Sequence, residues 1–292
     1  MVLEGMLPFL GSFRDQVVLV TGASSGIGRE TAVAFARQGA AVALAARRTA
    51  QLKEVAQAVT AAGGRALVVP TDVTDAHAVR ATVARVQRAW KRIDILVNNA
   101  GILIPGPVAE LKADDLQAML RVNLFGPLFL MQAVLPGMQH HGGGTIINIA
   151  SLAGRRGVTP LGGYCASKFA LMGLTEALRV ELDASKIHVG LVLSGVIDPP
   201  MAHSLDQDAS LPTWPAALNM PPEWVVAAVL LVARFRLREV SVPPGAATME
   251  VLGALVPGMS DALIRWATAA GQALTRVRTR RNVAPRKTAA KT

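Results

Sequence analysis

The only tyrosine among the 292 residues, Tyr164, stands four positions before Lys168 in the stretch Tyr-Cys-Ala-Ser-Lys. Side chains at positions i and i+4 share one face of a helix, so these two groups can reach a common site. A phenol has a pKa near ~10, which is too high for acid–base work at neutral pH, and a nearby ammonium could lower that pKa by ~1–3 units. The pair is suited to act as a proton donor and acceptor, although, taken alone, its spacing favours a surface pair.

A glycine-rich stretch, Thr-Gly-Ala-Ser-Ser-Gly-Ile-Gly at 21–28, follows an apolar run and opens an alanine-rich helical pattern. Gly22 permits a tight turn, Gly26 lets the backbone approach a pyrophosphate, and Gly28 allows close helix packing. The start of a helix also attracts anions. This context favours a dinucleotide site over a simple turn.

The residues after the second apolar run bear on the choice of dinucleotide. NAD sites place an acid near the end of that strand to hold the ribose 2′-hydroxyl, whereas a basic residue accommodates the 2′-phosphate of NADP. This chain has Arg47 and Arg48 there and no acid. The pattern favours NADP(H), and the alternative is two solvated arginines that open the second helix.

Short β-branched runs alternate with longer helical patterns from residue 16 to about 243. Near-continuous apolar strands between helices are typical of a parallel sheet covered on both faces. The pattern predicts an α/β fold, a doubly wound, Rossmann-type parallel sheet of about seven strands. We expect one catalytic domain over 1–257, with a substrate lid at 195–222, and a basic amphipathic helix and tail over 258–292.

Over about residues 13–245 the chain resembles the short-chain dehydrogenase/reductase family. The matching pieces are the glycine loop at 21–28, Asp-Val-Thr-Asp at 72–75, Asn-Asn-Ala-Gly at 98–101, Asn123, Ser151, and Tyr164 with Lys168. The resemblance implies an oxidoreductase that transfers a hydride between the nicotinamide of NADP(H) and a carbonyl or secondary alcohol. The competing hypothesis is a dinucleotide-binding sensor or scaffold protein without turnover.

The resemblance also implies roles for single residues. Tyr164 would be the general acid and base, Ser151 would hold the substrate oxygen, Lys168 would hold the nicotinamide ribose, and Asn123 would anchor a water of the proton path. The residues expected to bind the cofactor are Thr21, Gly22, Ser24, Ser25, Gly26, Ile27, Gly28, Arg47, Arg48, Asp72, Val73, Asn99, Ala100, Gly101, Tyr164, Lys168, Gly195, Val196 and Ile197. For Asp72, Val73 and the stretch 99–101, strand-end capping is the alternative.

The chain departs from the family pattern after the sixth strand. Family members usually carry Pro-Gly there and a threonine four residues beyond the glycine, whereas this chain has Ser194-Gly195 and Pro199. Proline has neither a hydroxyl nor an N–H with which to hold the nicotinamide carboxamide. Backbone groups of Val196 or Ile197 would have to take that role. Cys165 stands where serine is common, and we interpret it as a small packing residue.

The expected lid is mostly apolar. It has few fixed charges beyond Asp206 and Asp208, and it carries Met201, Leu205, Leu211, Trp214 and Met220. An apolar ketone or secondary alcohol, such as a lipid, steroid or aromatic carbonyl, fits such a lid better than a sugar, although the same side chains could simply pack the lid closed. None of the five histidines has a metal-ligand pattern, so no metal is expected.

The charge of +10 is uneven, because eight Lys and Arg residues and no acid follow Asp261. That tail could lie on an anionic membrane or pack on the body or another subunit, and nucleic-acid binding is not inferred. Neither a signal peptide nor a membrane-spanning run is predicted. A single cysteine favours a reducing compartment, and so a cytoplasmic protein. The resemblance implies a homodimer or homotetramer.

Overall fold

The computed structural model describes residues 11–195, 197, 220–246, 256, 258, 261–262 and 265. Its strands are β1 (Val17–Thr21), β2 (Ala41–Ala46), β3 (Arg65–Pro70), β4 (Ile95–Asn98), β5 (Gly144–Ser151), β6 (Ile187–Ser194) and β7 (Glu239–Val242). Its α-helices are α1 (Gly26–Arg37), α2 (Thr49–Ala61), α3 (Ala76–Trp90), α4 (Ala113–Leu120), α5 (Gly126–His140), α6 (Gly162–Glu181) and α7 (Pro222–Phe235). Short 3-10 turns cover Val108–Glu110 and Leu152–Gly154, and a π turn covers Arg121–Phe125.

The strands form one sheet in the order β3-β2-β1-β4-β5-β6-β7, and every neighbouring pair is parallel. The predicted doubly wound sheet is therefore confirmed. The strand order reverses between β1 and β4, and ligands of such sheets bind beyond the carboxyl ends of the strands at that point.

Both faces of the sheet are covered, which explains why its strands are apolar at nearly every position. Val18 and Val20 pack into a layer with α1, α2 and α7. Val17 and Leu19 point the other way, into a layer with α3 and α5 and with apolar residues of α6. Successive strand side chains point to opposite faces, so a strand buried on both sides reads as an unbroken apolar run.

Among the described residues, one helical run is long and apolar enough, by length and composition alone, to cross a membrane. It is Ala113–His140, with a mean hydropathy of 1.5 over its most apolar window. This run comprises α4, the π turn and α5, and it packs against α3, α6, β4 and β5. Part of its apolar surface is therefore used in the packing of the domain.

Most of the expected lid and of the C-terminal extension lies outside the described residues, including Met201, Leu205, Asp206, Asp208, Leu211 and Trp214. At the two ends of the lid, Ile197 and Met220 form a parallel β-bridge. In the extension, Gly258, Asp261, Ala262 and Arg265 are helical, and Asp261 forms an ion pair with Arg156. The basic amphipathic helix remains a prediction.

Candidate active site

The carboxyl ends of the central strands bring the predicted site residues to one edge of the sheet. β1 ends at Thr21, β4 at Asn98, β5 at Ser151 and β6 at Ser194. The glycine loop leaves the end of β1, and α6 carries Tyr164 and Lys168. Segments far apart in sequence therefore meet at the switch point of the sheet.

The glycine loop turns tightly from β1 into α1. Gly22 has φ +63° and Gly26 has φ +54°, a conformation that favours glycine. A Cβ on Gly28 would lie only 2.4 Å from the Gly22 carbonyl oxygen. No side chain caps the start of α1 at Ser25, and no acid lies in its first turn. The loop therefore leaves backbone N–H groups and a positive helix end available to an anion.

Thr21 and Asn99 fasten this loop to the end of β4. The Asn99 side-chain amide donates to the Thr21 carbonyl oxygen at 2.9 Å. The Thr21 hydroxyl donates to the carbonyl of Val97 at 3.2 Å and accepts the N–H groups of Asn99 at 3.0 Å and Ala100 at 3.1 Å. The side chain of Asn99 is thus used to shape the loop.

The two arginines after β2 face the glycine loop and the end of β3. The Arg48 guanidinium donates to the hydroxyls of Ser24 at 2.9 Å and Ser25 at 2.8 Å. The Thr74 backbone N–H holds the pKa of Asp72 below its usual value, and Arg47 adds a smaller effect in the same direction. The Asp72 carboxylate therefore caps its turn, as the alternative interpretation had it, and its contact with the cofactor stays a prediction.

Tyr164 and Lys168 lie on one face of α6, as their spacing predicts. The Lys168 Nζ is 5.8 Å from the centre of the Tyr164 ring and donates to the Ile149 carbonyl oxygen of β5 at 3.0 Å. Lys168 is buried, whereas the Tyr164 side chain is partly exposed. The ammonium is therefore anchored to the sheet beside the phenol.

The acidities of the pair differ from the sequence-based expectation. Burial raises the pKa of Tyr164 to about 12, and a hydrogen bond with the Ser151 side chain opposes this rise. The Tyr164 side chain is partly exposed as a whole, so we attribute the effect to the protein packed around its hydroxyl. Burial likewise lowers the pKa of Lys168 to about 8. The expectation that Lys168 lowers the phenol pKa is not met in the protein alone, because desolvation dominates.

Asn123 lies at the centre of the π turn and is fully buried. Its side chain accepts the N–H of Ile102 at 2.8 Å and donates to the Ile102 carbonyl at 2.8 Å and the Ser167 hydroxyl at 2.9 Å. Pro127, four residues on, has no N–H to give to the Asn123 carbonyl, which explains why the helix widens here. The sequence already contained this signal, because a proline follows Asn123 at helical spacing.

Beneath the site, a buried chain of hydrogen bonds joins β4, β5 and α6. The Asn98 amide donates to the Asn148 side chain at 2.8 Å, and the Asn148 amide donates to the Thr175 hydroxyl at 2.9 Å. Thr175 lies two turns after Lys168 on the same face of α6. These hydrogen bonds therefore fix the helix that carries the acid–base pair. Sequence reasoning missed them, because the partners are brought together only by the sheet.

The remaining predicted residues are placed only in part. Gly195 follows β6 and bonds to Val242 of β7 at 2.7 Å, whereas Val196 and Pro199 lie outside the described residues. Cys165 is buried against Val158, and burial raises the pKa of its thiol, which fits a packing role. Within the described part of the chain, no group of three His, Cys, Asp or Glu side chains could hold a metal ion.

A nicotinamide dinucleotide fits these residues. The uncapped helix start and the positive-φ glycines of the loop suit a pyrophosphate, and the arginines beyond β2 add positive charge beside it. The family model for short chain dehydrogenases matches residues 16–210, so the chain belongs to the short-chain dehydrogenase/reductase family. It is an oxidoreductase of this family, whose members bind a nicotinamide dinucleotide.

Similar proteins include relatives with different substrates. The ketoacyl reductase HetN of Nostoc sp. is 34% identical over 86% of this chain and 88% of its own length. A 3beta-hydroxysteroid dehydrogenase of Mediterraneibacter gnavus is 34% identical over 74% of this chain and 79% of its own. A sorbitol dehydrogenase of Cereibacter sphaeroides is 40% identical over 63% and 71%. Among solved structures, a short-chain type dehydrogenase/reductase from Mycobacterium marinum has a TM-score of 0.73 at 31% identity, covering 80% of this chain and 96% of its own.

Proposed function

We propose that this protein is an NADP(H)-dependent oxidoreductase of apolar carbonyls and secondary alcohols, with Tyr164 as the general acid and base. The observation that carries the proposal is the convergence of Ser151, Tyr164 and Lys168 beside the glycine loop. When bound, the cofactor supplies the hydride for the carbonyl carbon or accepts it from the alcohol.

In reduction, the Tyr164 phenol gives its proton to the substrate oxygen, and the Ser151 hydroxyl donates a hydrogen bond to that oxygen as negative charge develops there. Oxidation reverses the transfer, and the phenolate takes the proton of the alcohol. Lys168, whose pKa is lowered to about 8 by burial, can exchange protons near neutral pH and return one to Tyr164. We assign the Asn123 carbonyl as the acceptor for the water that extends this path, because Pro127 has no N–H with which to make the usual i+4 helical bond to it.

The preference for NADP(H) is supported by Arg48, which is held over the glycine loop by Ser24 and Ser25. A guanidinium binds a phosphate with charge-assisted, bidentate geometry. We expect Arg48→Ala to raise the KM for NADPH by about 10- to 100-fold and to change the KM for NADH little. Arg37→Ala, at the exposed far end of α1, is the matched control. Equal losses with both cofactors would count against NADP preference.

An apolar substrate is supported by two loops beside the site, one that follows β4 and one that precedes α6. Ile102, Leu103 and Ile104 are partly buried in one loop. The loops are joined where Gly106 forms a β-bridge to Leu161. The ketoacyl reductase and the hydroxysteroid dehydrogenase among the relatives point the same way, whereas the sorbitol dehydrogenase does not.

The function is tested with an NADPH-coupled panel of carbonyls. We expect steroid, 3-ketoacyl and aromatic ketones to give a kcat/KM at least ~10-fold above that of sugars, because an apolar pocket gains little from hydroxylated substrates. Faster turnover of sugars would overturn the substrate class. Absence of turnover across the whole panel, with NADPH bound, would favour the non-catalytic sensor.

Assembly and location are also proposals. The large apolar side chains of Phe125, at the π turn, and of Phe169 and Val180, on α6, are exposed. Such a surface supports a homodimer or homotetramer formed through the helices beside the site. A cytoplasmic location and peripheral membrane contact through 258–292 stay predictions, and loss of liposome flotation on truncation at Asp261 would support the membrane contact.

A further inference from the structure

Two serines at the carboxyl ends of β5 and β6 bind each other's strands. Ser151 and Ser194 are opposite each other in the register of the two strands. The Ser151 hydroxyl donates to the Ser194 carbonyl oxygen at 3.1 Å, and the Ser194 hydroxyl donates to the Ala150 carbonyl oxygen at 3.2 Å. Both serines are buried, so water does not readily replace either bond.

This exchange restricts the Ser151 side chain. A serine hydroxyl has one proton to donate; without substrate that of Ser151 is directed to the Ser194 carbonyl, and it must turn to the Tyr164 phenolate or to the substrate oxygen during the reaction. The same oxygen accepts the N–H of Ala153 at 3.2 Å, from the 3-10 turn that follows β5. Ser151 is therefore held between the end of β6 and the start of the next turn, on the side that faces Tyr164.

We propose that Ser194 is a positioning residue: its hydroxyl fastens the end of β6 to β5 and so fixes the carbonyl against which the Ser151 hydroxyl rests. The inference deepens the proposed function and rests on it, because it assigns a support to the group that holds the substrate oxygen. Ser194 is also a departure from the family pattern, which has proline there, and a proline could not make this bond. The hydrogen bond from the Ser194 hydroxyl is therefore a feature of this chain and not of the family pattern.

The test compares Ser194→Ala with Ser194→Thr. Loss of one buried hydrogen bond that orients a reacting group predicts a fall in kcat of about 3- to 10-fold for Ser194→Ala. The dissociation constant of NADPH should stay within about twofold, because Ser194 lies away from the glycine loop. Ser194→Thr keeps the hydroxyl and should restore at least half of kcat, which a merely structural loss of packing would not predict.

A second readout is the pH dependence of alcohol oxidation. The hydrogen bond with Ser151 opposes the rise in the pKa of Tyr164, so a less firmly held Ser151 raises that pKa further. Oxidation requires the phenolate, and its rate rises as pH passes the phenol pKa. The rising limb of kcat should therefore move to higher pH in Ser194→Ala and return in Ser194→Thr.

The matched control is Ser185→Ala at the opposite end of the same strand. The Ser185 hydroxyl accepts the N–H of Ile187 at 3.0 Å, so this change also removes a serine bond of β6 but lies far from Ser151. We expect it to leave kcat and its pH profile unchanged. If Ser185→Ala and Ser194→Ala lower kcat equally, or if Ser194→Ala has wild-type kcat and pH profile, the inference is wrong.

Failure of the inference can be told apart from failure of the proposed function. Turnover that survives in Tyr164→Phe overturns the proposed function and, with it, the role of Ser194. Turnover lost in Tyr164→Phe but unchanged in Ser194→Ala overturns only the inference. Melting temperature and NADPH binding of each variant show whether the chain is folded.

Discussion

The two halves of the sheet build their parts of the site in different ways. In the first half, residues 17–98, the cofactor site is mostly backbone: glycines that turn, a helix start without a side-chain cap, and a loop tied to β4. In the second half, residues 99–246, the site is a set of side chains fixed by hydrogen bonds. Atoms added to the glycine loop should therefore impair the first half, whereas the removal of side-chain groups should impair the second half.

The largest expected effect is in the second half. Tyr164→Phe keeps the ring and removes the only group we assign to proton exchange with the substrate, so kcat should fall by about 100- to 10,000-fold. Binding of NADPH should stay within about threefold, because the ring of Tyr164 is kept and the pyrophosphate loop lies in the first half. Intrinsic fluorescence quenching by NADPH and steady-state turnover measure the two effects on one sample. If Tyr164→Phe retains more than a tenth of the wild-type kcat, the assigned role of Tyr164 in the second half is wrong.

The corresponding change in the first half adds one carbon. Gly28→Ala places a Cβ 2.4 Å from the Gly22 carbonyl oxygen and 2.5 Å from the Asn99 amide nitrogen. The loop must shift, and overpacking of this kind costs about 1–3 kcal/mol. We expect the dissociation constant of NADPH to rise by at least about tenfold.

Gly173→Ala is the matched control for Gly28→Ala. Gly173 is also helical, but no atom lies within 4 Å of an added Cβ there. This change should leave NADPH binding unchanged and stabilise the protein by about 0.5–1 kcal/mol, since alanine favours a helix. Thermal unfolding and NADPH titration of the two variants provide the check.

A smaller effect is expected at the π turn. Pro127→Ala returns an N–H to the position that would bond the Asn123 carbonyl, so the turn should tighten towards an α-helix and occupy that carbonyl. We expect kcat to fall about 3- to 10-fold, because the carbonyl we assign to the proton path is lost. Pro136→Ala, in the same helix but further along it, should leave kcat unchanged. Equal kcat in the two variants would show that the Asn123 carbonyl is not part of the proton path.

The fold could be read from the chain because parallel strands buried on both faces leave a local signature. The alternation of strands and helices from β1 to β7 was predicted from apolar runs and helical spacing. The i,i+4 spacing of Tyr164 and Lys168 is equally local. These features need no knowledge of distant contacts.

The features that could not be predicted from the sequence depend on distant contacts and on burial. The bonds that join Asn98 to Asn148, Ser151 to Ser194 and Lys168 to Ile149 link segments that only the sheet brings together. The pKa of Tyr164 was expected to fall because Lys168 is near in sequence. The pKa rises because burial of the hydroxyl desolvates the phenolate, while the Lys168 ammonium is bound to the sheet, 5.8 Å from the centre of the ring.

The presence of a single tyrosine in the chain makes the central claim directly measurable. The tyrosinate absorbance of the folded protein reports on Tyr164 alone, and we predict that little tyrosinate forms below about pH 11, in line with a pKa raised to about 12. With saturating NADP+, the pH at which tyrosinate appears should coincide with the pH at which alcohol oxidation rises, and Tyr164→Phe should abolish both signals. An oxidation rate that rises at a pH where Tyr164 stays protonated would contradict the assignment of this phenol as the general base.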